Sequence, residues 1–195
     1  MEYVLIGAIG FLLAYAFDWL SLKYIPILKQ VVGILAGCLL IYATVMVCMS
    51  SPRFDLPFFT IPLGSCLLLI SLALLIYSLF IEIPFHSTYV EYLVGTRLIT
   101  TGTYALVRHP GVLWLALLYI SLALLFPSPT LFIAVAVWFI LDVIYVVLED
   151  WIIFPRMFPD YPDYRRRTPF LIPSKQSILS CLKTINPRNK DRNGS

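Results

Sequence analysis

Long stretches without charged side chains dominate the chain, and they predict membrane-spanning helices. Aspartate, glutamate, lysine and arginine are all missing from residues 30–52, 56–81 and 109–141. A helix needs about 20 apolar residues to cross a hydrocarbon core of roughly 30 Å. The first two stretches therefore predict one span each, and the apolar stretch from Tyr3 to about Leu22 predicts another.

The third stretch is too long for one span, and prolines interrupt it. Pro127 and Pro129 flank Ser128 near its centre. Proline removes a backbone donor and clashes with the preceding helical turn, so the helix must break there. We predict a tight hairpin of one helix from Gly111 to Phe126 and another from about Thr130 to Asp150. The expected fold is all-α, with five transmembrane helices and a cytosolic C-terminal cap.

This pattern divides the chain into three regions. Residues 1–84 hold the first three spans, residues 85–174 hold a loop, the hairpin and the cap, and residues 175–195 form a polar tail. The first span could be mistaken for a signal peptide. Glu2 and the lack of a basic residue before the apolar stretch favour an uncleaved span instead.

Composition supports the membrane interpretation, and basic residues predict the orientation. The chain is 60% hydrophobic and only 13% charged, whereas soluble domains carry about 25% charged residues. With five spans, every lysine and arginine except Arg53 lies on one side, which predicts a multi-pass protein with a cytosolic C-terminus. The net charge of +3 then reflects topology, and we expect contact with membrane lipid but no nucleic-acid partner. The sequence leaves the oligomeric state open.

Acidic residues inside the apolar stretches are candidates for function. Asp142, Tyr145 and Glu149 share one helical face, at spacings of three and four residues. Their polar stripe either pairs with the arginines after the helix or lines a cavity open to the cytosol. Asp18, near the cytosolic end of the first span, is expected to be an interfacial residue, because charge burial costs less there.

Two further clusters flank the predicted hairpin. Arg108 and His109 precede Pro110, which suits the first position of a helix, and a helix N-terminus favours anions. Tyr161 and Tyr164, followed by three arginines and spaced prolines, predict an ordered cap. The other histidine, His86, is expected to be a loop residue, and no cysteine or histidine spacing predicts a metal site.

These clusters resemble the two signatures of the isoprenylcysteine carboxyl methyltransferases and the related phospholipid N-methyltransferases. The Arg-His-Pro block at 108–110, with Gly102 and Tyr104 upstream, is similar to the first signature. The second is an acidic pair and a Tyr-x-x-Tyr-x-x-Arg-x-Pro-x-x-Ile-Pro segment, which residues 149–150 and 161–173 resemble. The resemblance covers roughly residues 92–174.

The resemblance implies an S-adenosylmethionine-dependent methyltransferase active at the cytosolic face of the membrane. The cofactor-binding residues that it implies are Gly102, Tyr104, Arg108, His109, Pro110, Glu149, Tyr161 and Tyr164. The candidates for the catalytic residues are the polar stripe on the last helix, Asp142, Tyr145 and Glu149.

The acceptor and two competing functions stay open at this stage. The prenylcysteine enzymes have an arginine four residues before their acidic pair. Tyr145 occupies that position in this chain. We therefore expect a small or lipophilic acceptor, such as an amine, a thiol or an isoprenoid, in preference to a prenylcysteine acid. The alternatives are an NADPH-dependent membrane reductase of the sterol-reductase type and a non-enzymatic membrane transporter or scaffold.

Overall fold

The computed structural model describes residues 1–23, 25–83 and 98–185, and within these ranges the chain is helical, without strands. His86, residues 85–97 of the predicted loop and the tail from residue 186 onward lie outside the described residues. The helices are α1 Glu2–Leu22, α2 Pro26–Ser50, α3 Thr60–Ile76, α4 Thr103–Leu106, α5 Pro110–Leu125, α6 Pro129–Leu148, α7 Phe154–Met157, α8 Tyr161–Arg167 and α9 Lys175–Thr184. Two π-helical segments, Tyr77–Glu82 and Glu149–Ile153, extend α3 and α6.

Four helical segments of the described chain are long and apolar enough to cross a membrane, which makes this a membrane protein. They are Glu2–Leu22, Ile27–Ser50, Thr60–Glu82 and Pro129–Met157. The fifth predicted span corresponds to α5, which has only 16 residues and a length of about 24 Å. It is short because it begins at Pro110 and ends at Leu125, two residues before Pro127.

The predicted break between the last two long helices is confirmed. Pro129 is the first residue of α6, and the Ser128 hydroxyl caps that helix by accepting from the amide of Leu131 at 3.2 Å. The second arm continues beyond the predicted end at Asp150, because the helix widens into the π-helical segment and then passes into α7. Pro155 lies in the first turn of α7, where its missing amide hydrogen is harmless.

Helix packing joins the N-terminal helices to the hairpin. Helix α1 packs against α2 and α6, while α5 packs chiefly against α3. Trp138 of α6 is fully buried, and its indole nitrogen donates to the carbonyl of Val4 at 2.9 Å. Gly7 lies directly against that indole ring, where a Cβ would collide. The first 84 residues and the hairpin therefore share one core.

The two ends of the bundle differ in character. At one end, the amide of Phe54 donates to the carbonyl of Pro127 at 3.0 Å, and Arg53 lies over the ring of Phe126. At the other end, Thr103 contacts Glu82 while His109 contacts Glu149. The residues that resemble the two signatures therefore lie at the same end.

Residues 175–184, the first part of the predicted polar tail, form helix α9. Ser174 and Ser177 form a capping box at its start, and each side chain bonds the other residue's amide. At its other end, Thr184 accepts from the amide of Gly102 at 2.9 Å. Local capping and a tertiary contact with α4 order this segment.

The orientation of the bundle is testable by cysteine labelling. Phe58 is exposed in the loop at the Arg53 end, and Asp163 is exposed in α8 at the opposite end. In intact cells, a membrane-impermeant thiol reagent should label the Phe58→Cys variant and reach Asp163→Cys only after permeabilisation. The parent protein, with its four native cysteines, sets the background. Labelling in the reverse order would contradict the orientation that the basic residues predict.

Candidate functional site

The two sequence blocks meet through an ion pair between Arg108 and Asp150. Arg108 Nε lies 2.7 Å from Asp150 Oδ1, and Nη2 lies 3.1 Å from Oδ2. This is the bidentate arrangement that the planar guanidinium favours. Both side chains are almost entirely buried, at 10% and 1% exposure. The start of α5 is therefore bound directly to the end of α6.

Arg108 also binds the C-terminal cap. Its Nη1 donates to the carbonyls of Arg165 and Thr168 at 2.8 and 2.9 Å. Its backbone amide donates to the carbonyl of Pro169 at 2.9 Å. Four of the five guanidinium hydrogens are thus engaged within the protein. The resemblance implies that Arg108 binds the cofactor, whereas the structure gives it a role in joining three segments of the chain.

Asp150 is the centre of this arrangement, although the sequence indicated only Glu149 of the acidic pair as a site residue. The Tyr161 hydroxyl donates to Asp150 Oδ1 at 2.5 Å, and Arg165 Nε lies 3.3 Å from Oδ2. Burial and the adjacent carboxylate raise the pKa of Tyr161 well above its ordinary value, so the phenol stays neutral and donates. We refer to Arg108, Asp150, Tyr161 and Arg165 as the clamp.

Tyr164 and Tyr104 connect the cap to the segment before the hairpin. The Tyr164 hydroxyl donates to the backbone carbonyl of Tyr104 at 2.6 Å. The Tyr104 hydroxyl in turn donates to the carbonyl of Ser78 at 3.3 Å. Burial raises the pKa of Tyr164, which keeps it a neutral donor. Both tyrosines thus use their hydroxyl hydrogens to hold backbone.

Gly102 is required by its backbone conformation. Its φ is +63°, in the region that side-chain-bearing residues rarely adopt. The Glu82 carboxylate lies where a Cβ would project, and it accepts from the amide of Thr103 at 2.8 Å. Pro110, also predicted as a site residue, is the buried first residue of α5. Both residues shape the backbone around the site.

His109 differs from these residues because it has unused hydrogen-bonding capacity. Its ring stacks on Phe154 and meets Phe170 edge-on. Nδ1 lies 3.4 Å from Glu149 Oε2. Nε2 lies 3.5 Å from Asp150 Oδ1, yet this buried atom makes no hydrogen bond. Burial alone would lower the pKa of His109, but Asp150 and Glu149 together outweigh burial and raise it.

A second polar group links Glu149 to the first helix. The Tyr145 hydroxyl donates to Asp18 Oδ2 at 2.6 Å, and α1 packs against the π-helical segment that begins at Glu149. Asp18 is 5% exposed, because the packing of α1 on α6 places it inside the protein. Its position at the level of the membrane interface stays a prediction. An acidic residue within an apolar span is by itself an indication of function. Asp18 is such a residue, so the sequence contained this indication.

Asp142 lies beside an apolar cleft between α5 and α6. It precedes Glu149 by seven residues, about 10 Å along the helix. The cleft has a volume of about 270 Å³, and Asp142, 7% exposed, is the one acidic side chain among its described lining residues. The other lining residues include Leu115, Ile120, Val135 and Phe139. The predicted stripe thus divides: Tyr145 and Glu149 contact α1, whereas Asp142 lines the cleft.

The raised pKa of His109 predicts a pH-dependent stability. A histidine that binds its proton more tightly when folded stabilises the fold fully below its unfolded pKa of about 6.5. That stabilisation is lost as the pH rises through the folded pKa. We expect the free energy of unfolding in mixed detergent micelles to fall between pH 6 and pH 9 more steeply than in a His109→Gln variant. Equal slopes would contradict a charged His109 between Glu149 and Asp150.

Comparison with protein-family models, with curated proteins and with solved structures gave no match to this chain. The clamp joins the hairpin to the cap. Beside it, His109 lies between Glu149 and Asp150. Tyr145 binds Asp18 of α1, and Asp142 lines the cleft.

Proposed function

We propose that the protein is a membrane methyltransferase that uses S-adenosylmethionine and acts on a small or lipophilic acceptor. One observation carries the proposal. Residues from two sequence blocks about forty positions apart, represented by His109 and Glu149, meet at one buried polar centre. That centre lies about 10 Å from the level of Asp142, which lines an apolar cleft. Such a site suits a charged cofactor at one end and an apolar acceptor at the other.

The residues around the clamp fit the charged parts of this cofactor. Its ammonium and sulfonium are cationic, and Glu149 offers them a carboxylate that is 8% exposed. Its carboxylate needs a donor, and His109 Nε2 is a buried nitrogen without a hydrogen bond. Arg108 does not fit that role, because Asp150 and two backbone carbonyls already occupy it. Our assignment to the cofactor is therefore His109 and Glu149.

When bound, the cofactor supplies a methyl group on a sulfonium and leaves as a neutral thioether. The protein's part is alignment and exclusion of water more than strong acid–base chemistry. His109 is held in one orientation by Phe154 and Phe170. Tyr145 is held by Asp18. Apolar residues of the cleft, such as Leu115 and Phe139, suit the body of a lipophilic acceptor.

Titration of the purified protein with S-adenosylhomocysteine tests this proposal directly. We expect saturable binding by calorimetry in detergent, competed by S-adenosylmethionine and not by NADPH. Binding of NADPH without binding of S-adenosylhomocysteine would favour the reductase alternative. Binding of neither compound would favour a transporter or scaffold.

The cleft also predicts which acceptors react. No basic residue is among the described lining residues of the cleft beside Asp142. By the resemblance to the prenylcysteine enzymes, Tyr145 takes the place of the arginine that would meet an acceptor carboxylate. An ionised Asp142 would repel a carboxylate and attract an amine, and a protonated Asp142 would still offer a carboxylate no positive partner. In a radiolabelled methyl-transfer assay, lipophilic amines or thiols should react faster than a prenylcysteine acid. Efficient ester formation would contradict this prediction and leave the methyltransferase proposal standing.

A further inference from the structure

Helix α9 has three distinct faces. Ser177 and Cys181 are buried on the side that packs against α4. Gln176 and Ser180 lie on an exposed polar side. Between these two sides is an exposed apolar face, with exposed fractions of 43, 58, 63 and 41% for its four residues, Ile178, Leu179, Leu182 and Ile185. A helix with one apolar and one polar surface is typical of a segment that lies in a membrane interface.

The charges of α9 are all positive. Lys175 and Lys183 are exposed, and the helix contains no acidic residue. Lysine side chains reach from the edge of an apolar surface toward charged headgroups while their methylene chains stay among apolar groups. Each lysine near an anionic bilayer surface strengthens binding by about fivefold.

The position of α9 places its apolar face next to surface that faces lipid. Helix α9 packs on α4, which contacts the last turn of the span Thr60–Glu82. Phe80 and Ile81 in that turn are exposed. Helix α9 therefore lies near the level where a membrane-spanning helix ends, which is the interface of the bilayer.

We propose that α9 docks on the surface of the membrane, with its apolar face among lipid chains and its lysines against anionic headgroups. A second copy of the chain fits this face less well, because a two-fold contact would bring lysines of both copies together. Docking also holds the segment before Arg108, since Thr184 of α9 accepts from the amide of Gly102. This proposal does not depend on the methyltransferase assignment.

Hydrogen–deuterium exchange of the full-length protein tests the proposal. The protein is placed, one copy per nanodisc, in phosphatidylcholine with and without phosphatidylglycerol, and the peptide covering residues 175–185 is followed. We expect slow exchange in both nanodiscs, and slower exchange with the anionic lipid. Fast exchange in single-copy nanodiscs would overturn the proposal, and slow exchange only in dimeric detergent samples would identify a second copy as the partner.

Three variants separate the apolar and charged contributions. Leu179→Ser with Leu182→Ser should speed exchange by about tenfold or more, because the two side chains that would lie among lipid chains are lost. Gln176→Ala with Ser180→Ala, on the polar side of the same helix, should leave exchange unchanged. Lys175→Gln with Lys183→Gln should remove only the difference between the two lipid compositions. Equal effects of the leucine and control variants would also overturn the proposal.

Discussion

The Asp150→Ala variant is expected to lose about 3–5 kcal/mol of unfolding free energy, which is the usual cost of removing one partner of a buried ion pair. Asp150 is 1% exposed and contacts Arg108, Tyr161 and Arg165. Its removal would leave the Arg108 guanidinium buried without a counter-charge. Unfolding by sodium dodecyl sulfate in mixed micelles, followed by circular dichroism, measures the loss.

Asp163 provides the matched control for this prediction. It forms an ion pair with Arg166 on the exposed surface of α8, where ion pairs add little stability. Asp163→Ala should therefore leave the unfolding midpoint unchanged. The double variant Asp150→Leu with Arg108→Met should lose less than the two single variants together, because the buried Arg108 charge is no longer left without its partner. A loss after Asp150→Ala no larger than that of the control would rule out the clamp as a source of stability.

The second large effect concerns cofactor affinity. We expect His109→Ala and Glu149→Ala each to weaken binding of S-adenosylhomocysteine by about ten- to a hundredfold, the value of one charge-assisted contact. Both side chains lie at the buried centre, 3.4 Å apart between Nδ1 and Oε2. Calorimetric titration of each variant against the parent protein measures the change.

The clamp offers a contrast that separates binding from folding. Arg108→Lys keeps the positive charge but loses the bidentate contact with Asp150. If Arg108 joins segments of the fold, this variant should lose stability while S-adenosylhomocysteine affinity in the folded fraction changes little. Unchanged affinity in both His109→Ala and Glu149→Ala would contradict our assignment of these residues. A large affinity loss in Arg108→Lys alone would indicate that Arg108 binds the cofactor carboxylate.

Several features of the candidate site follow from the local sequence. Pro110 begins α5 and Pro129 begins α6, because proline suits the first position of a helix and cannot continue one. The spacing of His109 and Glu149 at the two ends of one hairpin implies that they meet, and the structure places them in contact. Gly102 has the positive φ that makes glycine necessary there.

Other features depend on contacts between distant segments. Asp18 joins the site because α1 packs against α6, which no local pattern around Asp18 specifies. Arg108 binds the carbonyls of the cap, as well as Asp150, because of the path that residues 165–169 take. Helix α9 is ordered in part by Thr184 meeting Gly102, 82 positions away in sequence.

The membrane character, the break at Pro127 and the helix starts follow from the sequence alone, because the length of apolar stretches and the chemistry of proline act locally. The sequence also indicated His109 and Glu149 as neighbours. Which polar side chains are already satisfied by the protein, and which retain capacity for a ligand, depends on the folded structure. That division depends on long-range packing: Arg108 is bound on several sides, whereas His109 Nε2 is buried without a hydrogen bond.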